Sequence, residues 1–133
     1  MKRIINPDSF APPVGYANAI ETNGGRTIYL AGQTAMDEHG IVQFKGDLVR
    51  QFDAVLANLQ TVMRTAGGEM TDIVRLLLFV KNKRNYKEHL KEIGAVYRNY
   101  FGKHYPAMSL VQVADLYDDD ALIEIEGIAV IEG

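Results

Sequence analysis

Apolar positions recur along this chain in two rhythms, and the switches between them mark its elements. From Leu48 onward, Phe52, Val55, Leu56, Leu59 and Met63 return at steps of three and four, which lines them up on one stripe of an α-helix four to five turns long. Asp47 offers a capping oxygen to its first turn, and Gly67-Gly68 closes it. A second helix is predicted over 85–103, with Tyr86, Leu90, Ile93, Tyr97 and Tyr100 or Phe101 on one side, and Pro106 bars its extension. Ile73–Val80 is apolar at both parities except for Arg75, as a strand buried on both faces requires. Lys2–Ile5, 17–22 and 26–31 read as shorter strands. The last two are joined at Asn23-Gly24-Gly25, residues that supply the positive φ of a tight hairpin. Two adjacent prolines, Pro12 and Pro13, keep 11–16 out of helix. In the last third a strand runs from Tyr105 to Val113, an acidic turn follows at Asp118-Asp119-Asp120, and a second strand returns from Leu122 through Glu126.

The order β-β-β-α-β-α-β-β over residues 1–133 implies one α+β domain, a mixed sheet with two helices on one face. Two helices cannot cover both faces. The face left open carries half of the apolar strand Ile73–Val80, and such patches mark subunit contacts, so a homo-oligomer is expected.

Composition narrows the possibilities. With 133 residues, 47% hydrophobic and 23% charged, the chain reads as an ordinary soluble globular protein. Cysteine is absent, which removes disulfides, thiolate metal ligands and a cysteine nucleophile. Without a signal-like N-terminus or an apolar run long enough for a membrane span, a cytoplasmic protein with no membrane partner is expected. A formal charge of −3, with Lys and Arg scattered along the chain, gives no footprint for gripping nucleic acid. His39, His89 and His104 lack ligand-like spacing and read as surface residues, so no metal site is predicted. Gly67-Gly68 lies at a helix end instead of opening a helix after a strand, which argues against a nucleotide site.

Three features carry candidate chemistry. Alternation places Glu124 and Glu126 on one strand face, opposite Ile123 and Ile125. Flanked by aliphatic residues, they are either an acid and base or a solvated rim. Tyr16 follows the proline loop, offering a phenol to a ligand or plugging a hydrophobic gap. Arg75, inside the most apolar strand, needs an acid partner, an anion or an edge from which to reach water.

Taken together, Ala31-Gly32-Gln33, Gln51, Asn58, Ala66-Gly67, Asp72-Ile73-Val74-Arg75, Pro106-Ala107-Met108-Ser109 and Ile123-Glu124-Ile125-Glu126 resemble the Rid (YjgF, reactive intermediate/imine deaminase) family, in order and across almost the whole chain. The resemblance implies a chorismate-mutase-like homotrimer with a six-stranded mixed sheet per subunit and ligand clefts between subunits. It also implies cofactor-free hydrolysis of reactive enamine and imine acids to 2-keto acids and ammonia. It maps an acid/base role onto Glu124 and a pocket tyrosine onto Tyr16, with Ala31, Gly32, Gly94, Met108, Ser109, Leu110 and Arg75 as substrate-binding candidates. The chain departs from the family pattern where it matters for binding. Met108 replaces the arginine expected to anchor a substrate carboxylate, Ala31 replaces a serine, Gly94 a helix asparagine, and Leu110 a cysteine found in some members. Arg75, or Arg26 or Lys103 from a neighbouring subunit, is a candidate for the vacant anchoring role. The alternative to a divergent hydrolase is a non-catalytic small-ligand-binding trimer of the same fold.

Overall fold

A computed structural model describes residues 1–133. Helix α1 (Leu48–Thr65) forms as its periodicity predicts: Asp47 caps it by accepting from the Arg50 amide, and Leu48, Phe52, Val55, Leu56, Leu59 and Met63 are all buried. It ends where Gly67 adopts φ +86°, a conformation that glycine enters without a Cβ penalty. One core joins this stripe to Ile73, Leu76, Leu78 and Val80 of β4 (Ile73–Val80) and to Ile123 and Ile125 of β6 (Ile123–Ile131).

The strands depart from the expected single sheet of six. Strands β1 (Lys2–Ile5) and β2 (Ala19–Thr22) pair only with each other, while β3 (Arg26–Gln33), β6, β4 and β5 (Ala107–Gln112) form a separate four-stranded sheet in that order. Gly24 and Gly25 do take positive φ, at +75° and +84°, yet β2 and β3 are not hairpin partners. A Cβ on Gly25 would lie 2.8 Å from the Ile131 carbonyl oxygen, so the turn presses on the end of β6. From there the β1–β2 ribbon runs across the end of the sheet, held by Lys2 Nζ on Asp72 at 3.2 Å and by the Ala17 amide on the Pro106 carbonyl at 3.0 Å. The outer edge of β3 is left unpaired. Nor are β5 and β6 neighbours, because β4 lies between them, parallel to β5 and antiparallel to β6.

The second helix is in fact two, α2 (Lys83–Glu88) and α3 (Leu90–Phe101), preceded in the chain by a short 3₁₀ turn at Met70–Asp72. His89 breaks it. Its Nδ1 donates to the Asn85 carbonyl at 2.7 Å, the acceptor that an unbroken helix would give to the His89 backbone N–H. Both halves keep the same apolar side, so the periodicity hides the break. His104 is also not a plain surface residue: half-buried, it hydrogen-bonds the Ile73 carbonyl through Nε2 at 2.7 Å. From Val74 onward along β4 every second residue is buried and those between are half-exposed. This leaves Leu77 and Phe79 on a helix-free face beside Val111, Ile128 and Tyr29.

Candidate active site

Glu124 and Glu126 share the helix-free face, as their alternation with the buried Ile123 and Ile125 requires. Register sets Glu124 opposite Phe79 and Glu126 opposite Leu77. Their surroundings differ. Glu126 is exposed, whereas Glu124 is half-buried and lies directly over the backbone of Gly32, next to a bulge between Leu30 and Gln33. A Cβ on Gly32 would sit 2.5 Å from Glu124 Oε2 and 2.8 Å from its Cδ. Gly32→Ala is therefore expected to push the carboxylate aside and lower any Glu124-dependent turnover by on the order of tenfold to a hundredfold, with an unchanged circular-dichroism spectrum. Full activity in that variant would mean that the observed position of Glu124 is not the working one.

Arg75 faces the same side, with both terminal nitrogens 3.4 Å from the Ser109 hydroxyl and no carboxylate partner. Ala31, exposed in β3, adjoins Gly32 at the outer edge.

The remaining sequence candidates lie on the other side of the sheet. Met108 is in register with Leu76 and Leu110 with Leu78, so both turn toward the helices. There they line a cavity of about 600 Å³ together with Tyr16, Gly94, Tyr97 and Arg98. Tyr16 is 37% exposed, as befits a residue at a rim. Burial pushes the Tyr86 and Tyr97 phenols up from their ordinary range, so both stay protonated and can donate. The Tyr97 hydroxyl does so to the His104 carbonyl at 2.6 Å. One protomer thus divides the predicted residues in two, with Glu124, Gly32, Ala31, Arg75 and Ser109 on the open face and Tyr16, Gly94, Met108 and Leu110 on the helix side.

The sequence reading missed Arg98. The signal was there: it stands four residues after Gly94 on α3, hence on the same helix face, and a Cβ on Gly94 would lie 3.3 Å from Arg98 Nη1. Within one protomer, Arg26 donates to the Ala66 carbonyl at 3.2 Å, and Lys103 is exposed just past the end of α3. No three His, Asp or Glu side chains converge as a metal site would need.

The profile of the family described as endoribonuclease L-PSP matches residues 7–131. The chain belongs to this family, the Rid proteins. It is 32% identical to a Rid relative, the 2-iminobutanoate/2-iminopropanoate deaminase of Dermatophagoides farinae, with 98% of each chain covered. To the 3-aminoacrylate deaminase RutC of Acinetobacter baylyi it is 33% identical over 96% of this chain and 97% of that one. Among solved Rid structures, YyfB from Yersinia pestis superposes with a TM-score of 0.87 at 37% identity, covering 98% of both chains. RidA from an Antarctic Psychrobacter superposes at 0.67 with 25% identity, over 96% of this chain and 98% of that one.

Proposed function

We propose that this Rid protein hydrolyses reactive imines or enamines of amino acids to the 2-keto acid and ammonia, without a cofactor, in clefts between the subunits of a chorismate-mutase-like homotrimer. What carries the reading is the placement of Glu124: a half-buried carboxylate over Gly32, on an apolar sheet face that no helix covers. A second copy set against that face would bring its own cavity mouth, with Tyr16, Met108 and Leu110, up to the carboxylate. The deaminase names of relatives aligned over nearly the full chain support the same reaction class.

The chemistry then asks for one proton acceptor and one orienting donor. Glu124 takes a proton from water as the oxygen adds to the imine carbon, and returns it to nitrogen. The hydroxyl of that adduct then passes its own proton to the nitrogen through Glu124, the C–N bond breaks, ammonia leaves and the carbonyl forms, so one imine and one water give one keto acid and one ammonia. The phenol of Tyr16 orients the substrate. RNA cleavage is not part of the proposal, since a formal charge of −3 with dispersed cations offers no phosphate-gripping surface. No helix of the chain is long and apolar enough to cross a membrane.

A second reading, a ligand-binding trimer without turnover, is favoured by Met108, a thioether where the family pattern has its arginine. Imines generated in place from alanine, leucine and phenylalanine by an amino-acid oxidase separate the two. Keto-acid release well above the buffer rate is expected for at least one of them. Release at the buffer rate for all three would reject the hydrolase and leave the binding protein.

A further inference from the structure

Arg98 is the one charged side chain lining the 600 Å³ cavity, and it has neither an ion-pair partner nor a side-chain hydrogen bond. Four of the other arginines are occupied: Arg3 pairs with Glu21, Arg64 with Glu69, Arg26 binds the Ala66 carbonyl, and Arg50 covers the Phe44 ring. A guanidinium with free donors at the wall of an otherwise uncharged cavity is matched by a planar anion, above all a carboxylate, which it can grip with two parallel bonds. Helical side chains lean toward the N-terminal turn, so Arg98 reaches back over residue 94. There glycine leaves the slot open, and any side chain would contest it.

The rest of the cavity selects for bulk and apolarity. Its wall includes Leu76, Leu78 and Met108, and it includes Tyr97 and Tyr105, whose rings stack with centroids 5.4 Å apart and planes within 4°. Phe101 backs Tyr97 at 4.4 Å, so this side is a stiff flat surface. A three-carbon imino acid of about six heavy atoms would fill roughly 180 Å³, taking the share of a water molecule for each atom. Most of the cavity would be left to water against apolar walls. An aryl or branched alkyl side chain would displace it.

We infer that Arg98 anchors the ligand's carboxylate and that the cavity accepts 2-imino and 2-keto acids with large apolar side chains. This deepens the hydrolase reading and rests on it for the imine, whereas the anchoring can be measured without turnover. The probes are phenylpyruvate, its methyl ester and pyruvate, titrated calorimetrically into the whole protein. Phenylpyruvate is expected to bind at least about tenfold more tightly than either of the others. Arg98→Ala should weaken phenylpyruvate by about tenfold to a hundredfold and leave the ester unchanged, with Arg98→Lys in between. Gly94→Asn, which leaves the arginine in the chain but contests its slot, should resemble Arg98→Ala. Four results would overturn the inference: no phenylpyruvate binding by the parent protein, equal losses for acid and ester, unaltered affinity in Arg98→Ala, or the loss appearing in Arg75→Ala instead. If these affinities follow the expected pattern while no imine is hydrolysed, the anchor stands and the hydrolase reading falls alone.

Discussion

Glu124→Gln is expected to slow imine hydrolysis by about a hundredfold to ten-thousandfold, the span that a lost general acid–base group leaves. The amide keeps the shape of the carboxyl group and its place over Gly32, but it cannot accept a proton from water. Keto-acid release is followed with the oxidase in excess, so that supply of the imine never limits the rate. Affinity for phenylpyruvate in the same preparation should change far less than turnover, because the proposed grip on that probe comes from Arg98 and the apolar wall of the cavity. A variant that turns over normally would remove Glu124 from the chemistry. Glu126 would then be the next carboxylate to test, since it shares that face.

The second large effect concerns stability. Gln51 is fully buried and uses both ends of its amide. Its nitrogen donates to the carbonyls of Gln43, Phe44 and Asp120 at 3.1, 3.3 and 2.9 Å, and its oxygen accepts from the Leu122 amide at 2.8 Å. One side chain on α1 therefore fixes the loop before the helix and the turn that leads into β6. Gln51→Leu fills nearly the same space and leaves those backbone groups without that partner. Each buried orphan costs about 1–3 kcal/mol, so a total of about 3 kcal/mol or more is expected, with a fall in Tm on the order of 10 °C. Thermal unfolding by circular dichroism measures it. A shift below about 3 °C would mean that the loops are held by other contacts. Because the turn at 120–122 sets where β6 begins, the variant should also lose activity out of proportion to its melting point.

How much of this was legible in the sequence depended on whether the signal was local. Helix α1 was fully readable, since its cap, stripe and closing glycines all lie within the segment. Glu124 was readable too, because strand alternation fixes its side chain without knowledge of any partner. Pairing was not. Asn23-Gly24-Gly25 supplies a turn, but which strand lies beside β3 is decided by contacts a hundred residues away, at Val130 and Ile131. Likewise, Met108 and Ser109 are adjacent in the chain and point to opposite sides of the sheet, so one motif feeds two surfaces. Arg98 escaped notice because a cation on a helix ordinarily means solvent. Its significance comes from the glycine one turn earlier and from an apolar cavity that only the packed chain creates.

A sheet that keeps its acid on one side and its cavity on the other has a consequence for enzymology. A lone, correctly folded copy holds every residue of the proposed machinery and can bring none of the opposing pairs together. Specific activity would then obey mass action, fading on dilution as copies separate, while each chain by itself stays as well ordered as before.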